Sequence, residues 1–209
     1  MFGLPAVLPL RHGRIEVAPL RLRDWRELSA SLDHNRVWLR RWQTTDPDGH
    51  APADARTMVR GLVQAMNAGE VLAYAVRVDG VFAGQVTVSS IEYGALSTAQ
   101  LGYWVSEDFA GLGVIPTATA LVTDFALGPW RLHRMEICIR PENRASLRVV
   151  QKLGFRFEGR RRRYIHIDGE WRDHLCFAVT REEVPQGVLA RFLTGTVPAH
   201  AADVPEAFR

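Results

Sequence analysis

Apolar residues in this chain switch repeatedly between helical and strand spacing from Arg14 to Thr180, and the order of the switches limits the available folds more than any other feature. A short strand pattern, Arg14 to Pro19, leads to a helix that Asp24 is placed to cap, with Trp25, Leu28 and Leu32 on one stripe. The turn formers of QTTDPDGHAPADA end it, and Met58, Leu62, Val63 and Met66 recur at helical spacing in a second helix over about residues 53–68. VLAYAVRVDGVFAGQVTVSSI reads as two strands joined at Asp79-Gly80, a pair that supplies the positive φ angles of a tight hairpin, and AQLGYWVS reads as a third. Beyond a glycine-bearing junction come a helix, TATALVTDFAL, a strand, RMEICIR, and a helix capped by Asn143 and ended by Gly154. A last hairpin, Phe155 to Ile167 and Glu170 to Thr180, closes at Asp168-Gly169. This alternation predicts an α/β layered fold, a mixed sheet covered by helices on both faces.

At 209 residues the chain suits one well-buried domain, taken as residues 1–183, with a short helix and a mobile Pro/Ala-rich tail expected over 184–209. A net charge of +3 is too small to indicate nucleic acid or membrane as a partner. The opening MFGLPAVLPLRHGR lacks the basic start and small-residue end of a signal peptide, and no apolar run reaches the roughly 20 residues of a membrane span. Cys138 and Cys176 lie in apolar alternating stretches and read as reduced core thiols of a cytoplasmic protein, with nothing cationic evident beside both. The seven histidines have no metal spacing, and no metal is expected. Trp25, Trp38, Trp42, Trp104, Trp130 and Trp171 read as core or pocket wall.

Two glycines, Gly111 and Gly113, sit in DFAGLGVIP, where AQLGYWVS gives way to a helix. Such a loop exposes consecutive main-chain N–H groups beside a helix start with its partial positive charge, so a diphosphate can be held without any lysine. The same residues serve equally in a bare strand-to-helix turn. No G-K-[ST] follows, and the G-x-G-x-x-G dinucleotide pattern is incomplete.

LGYWVSEDFAGLGVIPTATALV, RMEICIRPENRASLRVVQKLGF and EGRRRRYIHIDGEWRDHLCFAVT stand in the order and spacing of the GNAT family of acetyl-CoA-dependent N-acetyltransferases. The last two most resemble its RimJ/RimL branch, bacterial enzymes that acetylate amino-terminal amines. The resemblance covers about residues 15–183. It implies the GNAT fold, a mostly antiparallel seven-stranded sheet whose central parallel strands splay apart, with acetyl-CoA as cosubstrate. The family's phosphate loop, Gln/Arg-x-x-Gly-x-Gly/Ala, falls here on Ala110, Gly111, Leu112, Gly113, Val114 and Ile115, with the central glycine matching. By this resemblance the amides of that loop, from Leu112 to Ile115, and the Thr117 hydroxyl hold the pyrophosphate, while Pro116 sets the first helical turn where its missing N–H costs little. A bulge in GYWV would part the parallel strands and let the main chain of Trp104 and Val105 pair with pantetheine as an added strand would. Asn143 would both cap its helix and reach the pantetheine arm.

Acetyl transfer needs a neutral amine, a polarised thioester carbonyl and a proton for the departing thiolate. The amide near Val105 suits the carbonyl, and the resemblance points to Ser146 as the proton donor, although a serine early in a helix equally bonds local backbone. Relatives carry a carboxylate base on the strand before GYW or in the final hairpin; Gln100 and Arg163 stand there, leaving Glu92 and Glu107 in reserve. An α-amine with pKa near 8 tolerates a missing base, whereas a lysine near 10.4 does not. The expected acceptor is therefore a protein amino terminus, of a ribosomal protein by analogy with the RimJ/RimL branch. GRRRRY and RVWLRRW suggest a contact with the ribosome surface, and the family includes monomers and dimers. Two alternatives stand beside this: a polyamine or aminoglycoside acetyltransferase, for which Asp46 and Asp48 are the nearby acids, and a CoA-binding module without turnover.

Overall fold

Asp79 and Gly80 both take positive φ, 50° and 83°, and close the two-residue hairpin between strands Leu72–Val78 and Val81–Glu92. Asp168 and Gly169, at 49° and 85°, close a second hairpin between Arg156–Ile167 and Glu170–Thr180. These are left-handed turns whose twist matches that of the strands they join. They belong to a computed structural model that describes residues 6–208. In chain order the strands are β1 Leu10–His12, β2 Ile15–Pro19, β3 Leu72–Val78, β4 Val81–Glu92, β5 Thr98–Val105, β6 Arg134–Ile139, β7 Arg156–Ile167 and β8 Glu170–Thr180. They form one sheet in the order β1-β2-β3-β4-β5-β6-β8-β7, antiparallel throughout except for β5 and β6. The sheet thus has eight strands where seven were expected. The addition is β1, which folds back on β2 within the apolar amino-terminal stretch; residues 1–5 of that stretch lie outside the described residues.

Helices cover both faces. Alternation along β3 sends Leu72, Tyr74, Val76 and Val78 into a core shared with α4 (Val114–Leu127), α5 (Arg144–Leu153) and α6 (Val188–Thr194). It sends Ala73 and Ala75 to the other face, where Leu28 of α1 (Trp25–His34) and Val59 of α3 (Ala55–Asn67) pack. The first helix predicted from sequence is in fact two, because Asn35 interrupts it before α2 (Arg36–Arg40). Asp24 does not cap α1. Its carboxylate accepts from the Arg21 amide at 2.7 Å and the Arg77 guanidinium at 3.1 Å, closing the turn ahead of the helix. The cap of α3 is Asp54, which accepts from the Thr57 amide and hydroxyl.

The carboxy-terminal segment joins the same core. Asp124 of α4 accepts from the amides of Val188 and Leu189 and so fixes the start of α6. The tail expected to be mobile lies instead along β7: the Phe157 amide donates to the Ala201 carbonyl at 2.8 Å, Ala202 is buried, and the Phe208 ring packs edge-on against Phe157. Phe157 supplies both the donor and the apolar ring that hold this segment.

Candidate functional site

Parallel pairing between β5 and β6 lasts for three positions, Thr98–Arg134, Ala99–Met135 and Gln100–Glu136. Beyond them β5 continues to Val105 and β6 to Ile139 with no pairing between the two, and the sheet opens at the carboxyl ends of its parallel strands, where open α/β sheets bind ligands. The expected bulge in GYWV is absent, since β4 and β5 stay in continuous register from Gly84–Val105 to Ser89–Gln100 and lose it only between Ser89 and Glu92. The split arises from divergence.

Register decides which main-chain groups face it. The Ser106 amide donates to the Ala83 carbonyl, so alternation pairs Trp104 with Gln85 on β4 and turns the N–H and C=O of Val105 outward. Trp104 is therefore not the pairing residue expected, because its main chain belongs to the β4 ladder. The Val105 carbonyl accepts from the Trp38 indole at 3.1 Å, which leaves the Val105 amide facing the split, as alternation also turns that of Tyr103. Asn35 holds this corner together. Buried at 2% exposure, it bonds the Ser106 hydroxyl and accepts from the Glu107 amide at 2.8 Å, tying the α1–α2 junction to the end of β5.

Gly111 and Gly113 both adopt left-handed φ, 78° and 77°, and a Cβ at either would meet nothing within 4 Å. Glycine is needed there for conformation, not for space. The turn leaves the amides of Leu112, Gly113, Val114 and Ile115 without an acceptor among the described residues, at the start of a 14-residue helix. Val114 and Ile115 point their side chains into the core, so neither obstructs the loop, and Leu112 is exposed. The Thr117 hydroxyl differs from expectation: its proton goes to the Gly113 carbonyl at 2.9 Å, so it has none to donate to a phosphate.

At the end of β6, Asn143 caps α5 by accepting from the Ser146 amide at 3.1 Å, and its Nδ2 has no partner among the described residues. Ser146 is half-buried. Beside it the Tyr103 hydroxyl is buried and has no hydrogen bond of ordinary geometry among the described residues, and burial pushes the phenol above its usual pKa. The two reserve carboxylates diverge. Glu92 pairs with Thr98, at the closed end of β5 and about seven residues or 23 Å from Val105, too far to serve the split. Glu107 follows β5 directly and its side chain is exposed.

A polar network that sequence reasoning missed lies across the closed end of the split. Gln100 donates to the Tyr164 hydroxyl at 2.8 Å, Arg161 donates to the same oxygen at 2.9 Å, and Arg161 and Arg134 hold the two oxygens of Glu136 at 2.8 and 2.6 Å. Glu136 is 6% exposed. A carboxylate inside the apolar run RMEICIR was its one visible sign.

A family model described as acetyltransferase (GNAT) domain matches residues 14–156. Among solved structures, RimJ of Mycobacterium smegmatis in complex with CoA-disulfide is 33% identical with a TM-score of 0.81, over 90% of this chain and 93% of that one. The [ribosomal protein uS5]-alanine N-acetyltransferase of Escherichia coli is 25% identical over 197 residues, 90% of this chain and all of that protein. YjcK of Bacillus subtilis is 38% identical over 103 residues, 49% of this chain and 57% of its own length.

Proposed function

The chain belongs to the GNAT acetyltransferase family, and from that premise we propose that it transfers acetyl from acetyl-CoA to the α-amine of a protein amino terminus, of the ribosomal kind on which its Escherichia coli relative is named to act. The observation that carries this reading is the split between β5 and β6 opening beside a left-handed glycine loop whose amides lack acceptors among the described residues. Main-chain donors from Leu112 to Ile115, with Gly111 and Gly113 setting the turn, hold the pyrophosphate at the start of α4. Asn143 directs its free Nδ2 toward the pantetheine amides. Acetyl-CoA supplies an activated acyl carbon and a thiolate leaving group.

The Val105 amide polarises the acyl carbonyl, and Ser146, with the neutral Tyr103 phenol next to it, supplies a proton on the leaving-group side. Among the described residues no carboxylate considered for the base is free in the split: Gln100 is an amide, Glu136 is held by two arginines, and Glu92 lies at the far end. Glu107 at the mouth is the remaining reserve base, acting through water. An α-amine suits such a site because much of it is already neutral near pH 7.5. The polyamine reading loses ground, since Asp46 is occupied within its own loop by the Asp48 amide and His50.

For the ribosome contact, the runs noticed in the sequence are partly neutralised, with Arg160 on Asp173, Arg161 on Glu136, Arg36 on Asp33 and Arg40 on Asp168. Arg23, Arg26, Arg56 and Arg60, which have no ion pair among the described residues, instead line a groove of about 330 Å³ with Leu22 and Trp25. These four are the cations we assign to an RNA-bearing partner.

Mass spectrometry of a panel of amino-terminal peptides, internal-lysine peptides and spermidine, incubated with acetyl-CoA, tests the reading. Acetylation confined to α-amines supports it. Acetylation of spermidine or lysine alone overturns the acceptor class, and CoA binding without any product overturns the activity.

A further inference from the structure

We propose that Cys138 and Cys176 are a modification site: a dithiol that hydrogen peroxide closes reversibly to a disulfide, with acceptor binding changed as a result. The two residues are directly opposed in the antiparallel β6–β8 pair, and their sulfurs stand 3.2 Å apart. Opposed residues of such a pair have Cα atoms about 4.5–5.5 Å apart, a separation that a disulfide spans without moving the backbone.

The surroundings favour a reactive pair over two inert core thiols. β7 pairs with β8 beside Cys176 and brings Arg161 to the sulfurs, its guanidinium 3.8 Å from Cys138. A hydrogen bond from the Cys138 thiol, with the Arg161 charge behind it, holds Cys176 below the usual thiol range, while giving that bond and being buried push Cys138 up. The pair therefore loses its first proton at Cys176 and becomes a thiolate and a thiol in contact, the state from which thiol oxidation starts. The sequence showed no cation beside both cysteines because Arg161 is distant from each along the chain and arrives only through strand pairing.

Glu136 lies within reach of both sulfurs and would complete a three-ligand metal set. Both of its oxygens already meet guanidinium groups, however, and a cation placed there would face two fixed positive charges.

The chemistry balances with peroxide as the only oxidant. The Cys176 thiolate attacks one peroxide oxygen, the O–O bond breaks, and the hydroxide that leaves takes up a proton, giving a sulfenic acid and water. Cys138 sulfur then attacks the Cys176 sulfur, the S–S bond forms, and hydroxide departs as water with the Cys138 proton. Two thiols and one peroxide yield one disulfide and two waters. Peroxide is small enough to reach a sulfur that is 5% exposed next to a half-buried one.

Closing the bond removes the Cys176 thiolate, whose charge Arg161 balances, and the Cys138 proton that this thiolate accepts, and so changes the charge beside Glu136, whose carboxylate lies 3.4 Å from the Cys138 sulfur. Arg161 is also the donor to Tyr164, which joins Gln100, so the change reaches β5 through a line of side chains on the face away from Ser146 and α5. The acceptor arm of the proposal, that the acceptor meets this face, rests on the acetyl transfer proposed above and on the cosubstrate arm and Ser146 holding the opposite face; the thiol chemistry rests on neither.

The test treats the intact protein with equimolar peroxide and reads mass and free thiols under non-reducing conditions. The expected result is loss of two hydrogens and of both titratable thiols, reversed by dithiothreitol, whereas Cys138→Ser keeps Cys176, which dimedone traps as a sulfenic acid, and Cys176→Ser keeps Cys138, which peroxide oxidises far more slowly. Retention of both thiols after peroxide, or a disulfide between two copies of the chain, overturns the site. With a peptide found to be acetylated, oxidation should raise the acceptor KM several-fold and leave the acetyl-CoA KM unchanged. A disulfide that forms without moving the acceptor KM overturns the control of acceptor binding alone.

Discussion

Gly113 takes φ of 77° in a turn where a side chain would have open space, so its replacement isolates conformational cost from steric cost. Gly113→Ala should lose about 1–2 kcal/mol of stability and weaken CoA binding, which denaturant titration and calorimetry measure. Gly113→Asn, which tolerates the left-handed region, should recover most of the stability. Equal losses for both variants would mean that the turn needs something other than its φ. His174 offers a pH test. It is 3% exposed, and burial lowers its pKa, although its Nδ1 bond to the Arg172 carbonyl opposes the shift. A histidine depressed in the folded state is protonated first in the unfolded one, so stability falls as pH drops below the unfolded value of about 6.5 and continues to fall until the folded value is reached. Denaturation between about pH 7.5 and pH 5.5 should show this slope, and His174→Gln should flatten it. The glycine-bearing strand-to-helix junction was legible in the sequence, whereas the left-handed φ of both glycines is a finding of the structure. The Trp38 bond to Val105 was not legible, because an indole donor has no periodicity to reveal its acceptor.

The break between α1 and α2 exists for the sake of another element. Val37, Trp38 and Leu39 continue an apolar pattern that local propensity would extend as helix, and Asn35 leaves it with its side chain bonded across the fold to Ser106 and Glu107 as well as to the Ser31 carbonyl one turn back. Long-range pairing of this kind is invisible to period counting, which explains why the element types were readable and this boundary was not. The same holds for Thr117, whose hydroxyl looked available until the helix supplied the Gly113 carbonyl one turn away. Asn35→Ala would leave the Ser106 hydroxyl and the Glu107 amide without their partner in a buried corner, at a cost of roughly 1–3 kcal/mol. Because Trp38 and Val105 sit on the same corner, the acetyl-CoA KM should rise as well. A stability loss with unchanged KM would separate the staple from the cosubstrate site.

At the scale of the molecule, the mixed sheet with helices on both faces was readable from the alternation of strands and helices, and the split from the family resemblance; the strand order was not predicted, and the eighth strand and the docked tail depend on edge contacts, of Leu10 with Val17 and of Ala201 with Phe157, that no periodicity reveals. The arrangement of charge over the whole chain also sets how the reaction should respond to pH. Among the carboxylates near the split, Glu136 is bound to Arg134 and Arg161, Glu92 is remote, and Glu107 is exposed at the mouth. With no buried carboxylate available to take the proton, the amine must arrive neutral, and kcat/KM should follow the free-amine fraction of the acceptor. For a peptide α-amine that means a tenfold rise per pH unit up to a plateau near pH 8, while an internal lysine would still be rising near pH 10. Glu107→Gln should leave the α-amine profile in place if solvent takes the proton, and should lower the rate about 10²-fold or more if Glu107 relays it through water. A plateau reached well below pH 8 in the unaltered protein would require a base inside the split, and Glu136 would then have to release one of its arginines when the acceptor binds.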